Sequence, residues 1–514
     1  MSEYLFVAEA DKIQDLLFRS SKLREVAGGS EMLNEFCKDV VPLLIKRCGV
    51  SKDNEVISSG GSFRIRFDKK EKAEEFGEYL SELYRRELGG TITVAEPVEV
   101  TTEPEAIKNA QKYLRKAKHC GKAPVSVLQI PYIALCASCG TGIAIDYKEQ
   151  FKDEKPNYLC EVCKNKAKAR NEGKMSFLAR FLSHLSTVNS EAFEFPNEAN
   201  EIAKLEPRKY VAYLIADGNS MGTIFSACNN FDKLKLLSNG LDEMIQDSLA
   251  EPTKILIEKE KQKKHMSKKS KTDLVPVLPL ILGGDDVFAL IPAQWALDFT
   301  QRFAHEFEER MARHFEEIDI QSSIIPTISA AVIICKAKFP YSIAYELGEE
   351  LLKKAKKRAK KEGVSTISFA LIKGNELVKS AEENKTFIAG FPAYTIEELT
   401  KLIEYRWRLR NLPGTRRAQL ERLFLRAEKL DFAGVQSEWT AEKLYILNRL
   451  EKKLRSTTSA AVEELGDKEE KHNWLDKDLS GVYYHKLPDL LNVWDYAYDL
   501  KKDDTEYETE AEEE

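Results

Sequence analysis

Two apolar runs flank Gly283-Gly284-Asp285-Asp286 within Val275–Leu290 and predict a β-hairpin with two adjacent carboxylates at its tip. Neighbouring side chains of a regular strand point to opposite faces, whereas a Gly-Gly turn can adopt positive φ and bring both acids together. Two carboxylates about 4 Å apart repel by roughly 4 kcal/mol at an effective dielectric near 20, so a divalent cation is their natural partner. The alternative is a solvated Gly-Asp turn, because both residues are common in ordinary hairpins.

A third acid follows another predicted strand, Tyr210–Ala216, at the turn into a helical pattern. This turn begins with Asp217, and its glycines let backbone N–H groups approach a ligand, while the following helix start favours phosphate. Mg²⁺ or Mn²⁺ takes oxygen ligands and shares them with substrate phosphates, so Asp217, Asp285 and Asp286 are predicted to act on a nucleoside triphosphate. The predicted nucleotide contacts at the two turns are Gly218, Asn219, Met221, Gly222, Gly283 and Gly284.

Together the two turns resemble the second palm domain of the large polymerase/cyclase subunit of type III CRISPR effector complexes. The resemblance rests on Asp217-Gly218-Asn219-x-Met221-Gly222 and, downstream, on Leu282-Gly283-Gly284-Asp285-Asp286. It implies Asp285 and Asp286 as metal ligands with Asp217 assisting, ATP as substrate and cyclic oligoadenylate as the usual product. It also implies guide-RNA complex subunits and target RNA as partners, and an α+β fold with ferredoxin-like, nucleotide-cyclase-like palm domains.

The N-terminal region is similar to the first palm domain of the same family, through residues 10–18 and Ala27-Gly28-Gly29-Ser30. The chain therefore contains an internal repeat. Aligning its two copies places Ala10 opposite Asp217, or Asp11 if the alignment shifts by one residue.

The hairpin of the second copy has a counterpart in the first. Aligning Gly60-Gly61 with Gly283-Gly284 places Ser62 and Phe63 opposite the two hairpin acids, which the first copy therefore lacks. The two palms are predicted to form one pocket for two nucleotides, with a metal ion beside one of them. A first repeat with a purely structural role is the alternative. The predicted nucleotide contacts from the first palm are Ser30, Gly60, Gly61 and Ser62.

Four of the nine cysteines form two CxxC pairs, Cys136/Cys139 and Cys160/Cys163, separated by 20 residues. This separation is at the edge of the usual zinc-ribbon spacing. Four thiolates leave no open coordination position, so the pattern predicts a structural Zn²⁺ site. Disulfides or unpaired thiols are the alternatives, but the odd cysteine total and the lack of a secretory signal favour a reducing cytosol.

The chain has 514 residues, which is too long for a single core and predicts three or four domains. No apolar run reaches the roughly 18 residues that span a bilayer, so we expect a soluble, cytoplasmic protein without a membrane partner. A formal net charge of −6 gives no global attraction to nucleic acid. The predicted units are a degenerate, non-catalytic first palm (1–125), a zinc-binding, zinc-ribbon-like module and linker (126–207), a catalytic second palm (208–378), a C-terminal α-helical domain (379–500) and an acidic tail (501–514).

Periodicity and chain breakers predict alternating strands and helices in both palms. The segment Asp11–Cys37 is predicted to be helical with an interruption at Gly28-Gly29, and Val56–Phe67 to be a hairpin. Other predicted strands are Tyr4–Glu9, Thr91–Val100, Ile325–Cys335 and Val364–Leu371. Other predicted helices are Lys69–Leu88, Glu105–Lys118, Ser176–Thr187, Gln301–Ile318, Tyr345–Glu362, Thr395–Arg410, Arg416–Lys429, Ala441–Arg455 and Pro488–Tyr498.

Three basic segments are candidates for phosphate contacts. In the helix Tyr345–Glu362, Ala355-Lys356 matches an Ala-Lys pair whose lysine neutralises nucleotide phosphates in similar cyclases, although most lysines there belong to a solvated face. The run Lys261–Lys271 could track RNA or steer ATP, or be a flexible solvated loop. An arginine-rich C-terminal patch suits phosphate contacts or subunit docking equally. Its members are Arg406, Arg408, Arg410, Arg416, Arg417 and Arg422.

Many large subunits of this family begin with a nuclease domain marked by a His-Asp pair, and here no His is followed by Asp. We therefore expect no DNA cleavage by this chain. Three hypotheses remain: a complex-bound synthase of adenylate signals, a catalytically silent scaffold, and a stand-alone signal nucleotide synthase. The intact acids disfavour the scaffold, and the zinc module and helical C-terminal domain favour the complex-bound synthase.

Overall fold

The computed structural model describes residues 3–20, 22–120, 134–151, 155–172, 176–185, 193–265, 273–320, 326–373, 388–389, 392–427, 441–465, 476–477 and 483–502. Across these residues the expected α+β fold is confirmed, with two palm sheets, a four-cysteine module between them and a helical C-terminal region. Residues 266–271 of the basic run and nearly all of the predicted acidic tail lie outside them. Within the described ranges, no helix combines the length and apolarity needed to cross a bilayer.

The first palm is an antiparallel sheet that is buried on both faces. Along its central strand, Phe6 and Ala8 pack beneath its own helices, while Leu5 and Val7 belong to a core shared with the second palm. Its strands are β1 (Tyr4–Asp11), β2 (Glu55–Ser59), β3 (Ser62–Phe67), β4 (Thr91–Val94) and β5 (Val98–Glu99), in the order β2-β3-β1-β4 with β5 also on β1. Its helices are α1 (Ile13–Leu17), α2 (Leu23–Glu35), α3 (Val41–Arg47), α4 (Lys70–Leu88) and α5 (Glu103–Cys120).

The cysteine module follows, with strands β6 (Asp146–Lys148) and β7 (Asn157–Leu159) and helices α6 (Glu161–Glu172) and α7 (Ser176–His184). Helix α6 packs closely on α2 of the first palm. A Cβ atom added at Gly28 would lie 2.0 Å from the carbonyl oxygen of Lys166. The predicted interruption at Gly28-Gly29 is therefore wrong: α2 continues through both glycines, which permit the close approach of α6.

The second palm is built on a six-stranded sheet in the order β11-β12-β9-β13-β14-β16. In chain order, the strands here are β8 (Phe193–Glu194), β9 (Tyr210–Gly218), β10 (Asp273–Leu274), β11 (Leu278–Gly283), β12 (Asp286–Pro292), β13 (Ile328–Lys336), β14 (Thr366–Leu371), β15 (Ile388–Ala389) and β16 (Tyr394–Thr395), of which β8, β10 and β15 lie outside the six-stranded sheet. Its helices are α8 (Ala199–Ala203), α9 (Met221–Ala227), α10 (Phe231–His265), α11 (Ala296–Glu317) and α12 (Tyr341–Glu362).

The two palms repeat one topology. Strands β2-β3-β1-β4 of the first correspond to β11-β12-β9-β13 of the second, with every neighbouring pair antiparallel. The repeats also share their cores, because Phe18 of the first palm packs against Phe288 and Tyr345 of the second, with ring centroids 5.1 and 4.1 Å apart. The internal repeat inferred from the sequence is thus present in the fold.

The C-terminal region is mainly helical and packs on the second palm. Its elements are α13 (Ile396–Arg408), α14 (Gly414–Ala427), α15 (441–448), α16 (Lys452–Glu464), β17 (Asp476–Lys477), β18 (Tyr483–Tyr484) and α17 (Lys486–Asn492). The prediction of a single helix over Ala441–Arg455 is wrong. The chain turns between α15 and α16, where Arg455 donates hydrogen bonds to the carbonyl oxygens of Asn448 and Leu450.

Candidate active site between the two palms

The predicted acidic hairpin is formed by β11 and β12. Gly283 pairs with Asp286, and Gly284 adopts a φ of 63° at the tip, which an L side chain rarely does. Asp286 is in turn the cross-strand partner of Asp217 at the end of β9. The backbone N–H of Gly218 donates to the carbonyl oxygen of Asp285 at 3.2 Å. The fold thus brings together three acids that are distant in sequence.

A lysine completes this cluster. Lys356, on α12, forms an ion pair with Asp217, with 2.5 Å between Nζ and Oδ2. The preceding residue, Ala355, is buried beneath α12. This orientation of the helix places Lys356 beside the acids. Lys356 therefore lies at the predicted site, and the lysines at 353, 354, 357 and 360 are exposed as a solvated face would be.

The two hairpin acids have raised pKa values, as expected of carboxyl groups that are buried close to other acids. Burial, followed by the charge of Asp217, raises the pKa of Asp285 to about 7. Burial and the charges of both other acids raise the pKa of Asp286 well above its usual range. Among the described residues, only the four cysteines form a group of three or more potential ligands close enough to hold a metal ion, so the three carboxylates are less tightly grouped than those sulfurs. Their oxygen donors fit the preference of Mg²⁺ or Mn²⁺.

A cavity of about 1000 Å³ lies beside these acids and is lined by both palms. This volume is at the upper end of the roughly 300–1,000 Å³ typical of small-molecule sites. Of the predicted nucleotide contacts, the residues on its wall are Met221, Gly222, Gly283, Gly284, Gly60 and Ser62. The two hairpin tips meet here, since a Cβ added at Gly60 would lie 3.3 Å from the backbone nitrogen of Gly284.

Two predicted contacts have structural partners instead. The hydroxyl of Ser30 donates to the carbonyl oxygen of Leu280 at 2.5 Å, beside a separate small cavity. Asn219 donates to the hydroxyl of Thr327 and accepts from that of Ser329, at 3.0 and 2.8 Å, so its side chain fixes the turn after β9. Neither Gly61 nor Gly218 is on the cavity wall, although both backbones take part in the inter-strand hydrogen bonds of the two turns.

The register between the repeats differs from the predicted one. Glu9 pairs with Ser62 as Asp217 pairs with Asp286, and the Ala10 N–H donates to the carbonyl oxygen of Gly61 as that of Gly218 does to Asp285. Glu9, rather than Ala10 or Asp11, is therefore the counterpart of Asp217, and Ser62 is the counterpart of Asp286. The alignment was wrong by one residue because the second tip is Gly284-Asp285, not Gly283-Gly284.

Glu9 is a cavity residue that the sequence analysis missed. It forms an ion pair with Lys118 of α5 at 2.8 Å, and its charge further raises the pKa of Asp285. Helix α5 follows β4 as α12 follows β13, so the pair Glu9–Lys118 repeats the pair Asp217–Lys356. Its equivalence to Asp217 follows from the strand register, which the structure supplies.

The fold brings the four cysteines together in a cluster that could hold the predicted Zn²⁺. Their Sγ atoms all lie within 4.8 Å of one another, and those of Cys139 and Cys160 are 3.8 Å apart. Tetrahedral Zn²⁺ with Zn–S bonds of about 2.3 Å requires sulfur separations of roughly 3.8 Å, so the donors fit this ion. The N–H of Gly142 also donates to the sulfur of Cys139 at 3.3 Å, as expected of a thiolate ligand.

This cysteine module is tied to the first palm by buried polar contacts. Ser138, between two of the cysteines, donates to the carboxylate of the buried Glu25 at 2.5 Å. Lys166 on α6 donates to the carbonyl oxygen of Leu16 at 2.7 Å, directly beneath the cavity wall. The module therefore supports the helices that follow β1.

The C-terminal arginine patch is largely engaged in internal contacts. The guanidinium of Arg406 is buried, donates to the carbonyl oxygen of Trp494 at 3.0 Å and lies 3.9 Å from the ring centroid of Tyr498. That of Arg410 lies 4.5 Å from the centroid of the Trp407 ring. These residues stabilise the helical region, and the predicted phosphate-binding role of the patch stays a prediction.

Comparison with known proteins agrees with this architecture. Residues 210–365 match the family model of the Cas10/Cmr2 second palm domain. The predicted resemblance to the large subunit of type III CRISPR complexes is thereby confirmed for the segment that carries the three acids. No curated protein is detectably similar to the chain in sequence.

Solved structures of Csm1 have a similar fold. Csm1 of T. onnurineus is 15% identical, with a TM-score of 0.56 over 96% of this chain and 69% of that one. A Csm1–Csm4 cassette in complex with one ATP is 15% identical, with a TM-score of 0.57 over 98% and 70%. The cassette in complex with cA4 is 15% identical, with a TM-score of 0.53 over 88% of this chain, which spans only 65% of that one.

Proposed function

We propose that this chain is an ATP-dependent nucleotidyltransferase that makes cyclic oligoadenylate messengers as the large subunit of a type III CRISPR RNA-guided antiviral complex. The observation that carries the proposal is the cross-strand pair Asp217–Asp286, with Asp285 beside it, at the edge of a cavity between two palms. Related cassettes have been crystallised with one ATP and with cA4, which supports the choice of substrate and product.

The residues at the site have separate tasks in this proposal. A bound Mg²⁺ or Mn²⁺ would neutralise triphosphate oxygens and lower the pKa of an attacking hydroxyl. Asp285, Asp286 and Asp217 would hold that ion. Lys356 balances the charge of Asp217 at 2.5 Å and is placed to contact phosphate once a cation takes over the carboxylate. Gly222, on the cavity wall, leaves room for a phosphate beside the backbone, whereas Gly218 is packed against Met221 and Asp285.

Two nucleotides are proposed to lie in the cavity, because it is large and its two walls are repeats of one palm. The wall of the second palm carries the acids, and the wall of the first carries Gly60 and Ser62 at the equivalent tip. A hydroxyl from a nucleotide on the first wall would then meet the triphosphate on the second. Joining them forms a phosphodiester bond and releases pyrophosphate.

The proposed partners are ATP, small subunits of a guide-RNA effector complex and target RNA. Csm1 is bound to Csm4 in the related cassettes, and this supports complex-bound action. The stand-alone synthase is the second candidate, since all three acids of the cluster belong to the described part of this chain. A silent scaffold fits poorly with three acids held in register and a lysine beside them.

The test is product formation from ATP with Mg²⁺ or Mn²⁺, using the purified chain alone and with co-purifying subunits, guide RNA and target RNA. Asp285→Ala/Asp286→Ala should abolish oligoadenylate synthesis while zinc content and unfolding temperature are retained. Equal product from the double variant would reject the site. Turnover by the chain alone would favour the stand-alone synthase, and turnover only with RNA-bound complex would favour the main proposal.

A further inference from the structure

A buried arginine of the first palm lacks the partners that such a residue normally has. Arg64, in the middle of β3, is only 5% exposed, and its Nε and Nη1 are shielded from solvent without a hydrogen-bond partner. Among the residues that the structure describes, its side chain forms neither a hydrogen bond nor an ion pair. Burying an unpaired charge is costly, so a ligand that supplies hydrogen-bond acceptors would stabilise this guanidinium.

The repeat shows that Arg64 is not required by the fold. With Ser62 equivalent to Asp286, the counterpart of Arg64 two residues further along the strand is Phe288. Phe288 is buried and contacts the rings of Phe18, Tyr213 and Tyr345. The same position of the same topology therefore accepts an apolar side chain, and the first palm carries a cation there instead.

Arg64 lines the cavity between the palms. Burial lowers its pKa to about 10, and the charge of Glu9 acts in the opposite direction, so the side chain is charged at neutral pH. Glu9 already forms an ion pair with Lys118 at 2.8 Å. One carboxylate cannot balance two cations, so the charge of Arg64 is left uncompensated.

The charges on the cavity wall differ between the two palms. The first palm contributes four cations and two acids, whereas the second contributes two acids and no cation. The first-palm residues are Lys12, Arg19, Arg64, Lys118, Glu9 and Asp11. The second-palm residues are Asp285 and Asp286. An anion is thus attracted to the first wall without a metal ion, whereas the second wall is acidic and does not include Lys356, which pairs with Asp217.

We propose that Arg64 binds a phosphate group of the nucleotide that lies against the first palm and, with Lys118, forms an anion subsite that needs no metal ion. The identity of the ligand as a nucleotide rests on the proposed function, but the anion subsite itself does not. The Nη2 of Arg64 is not among the shielded atoms, so the guanidinium can donate from the cavity wall to a phosphate oxygen.

The experiment measures binding by calorimetry in EDTA, using the Asp285→Ala/Asp286→Ala chain so that neither turnover nor metal binding contributes. The probes are ATP, tripolyphosphate and adenosine. Arg64→Met in this background should weaken ATP and tripolyphosphate binding by about tenfold to a hundredfold, as expected for hydrogen bonds to a charged group. Adenosine binding should be unchanged. Arg64→Lys should retain part of the affinity for both anions.

A matched control is Arg66→Met, which removes a guanidinium from the same strand, outside the cavity wall. It should leave the binding of all three probes unchanged. Arg64→Phe introduces the residue of the other repeat, so it should remove anion binding and raise the unfolding temperature of the ligand-free chain.

Unchanged tripolyphosphate binding in Arg64→Met would overturn the proposal. An equal loss of adenosine and ATP binding would also overturn it, since Arg64 would then contact the base or ribose. A loss in Arg66→Met as large as that in Arg64→Met would show a general effect on β3 and would reject the subsite. Because these assays need no catalysis, failure of the proposed synthase activity would not be confused with failure of the subsite.

Discussion

Gly60 of the first palm lies directly against Gly284 of the second, tip to tip across the two equivalent hairpins. A Cβ at Gly60 would be 3.3 Å from the backbone nitrogen of Gly284, and both residues have positive φ. Each hairpin tip is thus shaped by the other, although neither glycine contributes a side chain to the chemistry.

Gly60→Ala should lower oligoadenylate synthesis at least severalfold, because the added methyl group pushes the acidic hairpin away from its partner. The strained backbone alone should cost about 1–2 kcal/mol of folding free energy. Gly49→Ala is the matched control, since Gly49 has a φ of 70° but open space around its Cβ position. Thermal unfolding should be affected similarly in both variants, and initial rates of product formation should fall only for Gly60→Ala.

Lys356→Met should reduce kcat/KM for ATP by about tenfold to a hundredfold, the effect of losing a charge-assisted contact to phosphate. The ion pair with Asp217 at 2.5 Å places the ammonium group at the acid cluster. Lys357→Met, an exposed change on the same helix, is the control and should have wild-type kinetics. Equal rates for the two variants would remove Lys356 from the site.

The pH dependence of stability should report the two raised carboxyl pKa values. An acid with a raised pKa binds its proton more tightly in the folded chain, so its contribution to stability is complete below the unfolded pKa of about 4. For Asp285 that contribution is lost as the pH rises through about 7. In EDTA, the wild-type chain should therefore lose more stability between about pH 5 and pH 8 than Asp285→Asn/Asp286→Asn, which lacks both groups.

Mg²⁺ should reverse this loss in the wild-type chain, because it stabilises the charged carboxylates, and should have no such effect on the double variant. Comparing the two chains cancels the contribution of titrating groups elsewhere. Parallel unfolding temperatures for both chains across this pH range would contradict the assigned electrostatics.

Removal of zinc should loosen the first palm as well as the cysteine module. The wild-type chain should contain one Zn²⁺, and Cys139→Ser should lose it together with the support that Ser138 and Lys166 give to the helices after β1. Loss of several kcal/mol should lower the unfolding temperature by roughly 10 °C. Metal analysis and thermal unfolding measure both effects, and Cys48→Ser, outside the cluster, is the control.

The sequence located the three acids that the fold brings together, because each lies at a strand end marked by glycine. It predicted element types in both palms, but not the effects of tertiary contacts. Gly28 was interpreted as a break, since glycine is a poor helix former. The close approach of Lys166 that it permits comes from a helix more than 130 residues away.

Glu9 and Arg64 could not be found from local pattern alone. Both lie in ordinary alternating strands, and their importance depends on strand register, which a shift of one residue changes completely. Only the observed pairing of Glu9 with Ser62 makes them the counterparts of Asp217 and Phe288.

The insertion of Phe18 among Phe288, Tyr341 and Tyr345 has a practical consequence. The hydroxyl of Tyr341 also donates to the carbonyl oxygen of Ser20, so the N-terminal region completes a core that begins two hundred residues later. A fragment beginning at the second repeat would expose this aromatic surface to water. Efforts to isolate a minimal catalytic half should therefore keep the first forty residues, or replace their apolar contacts, before judging what that half can do.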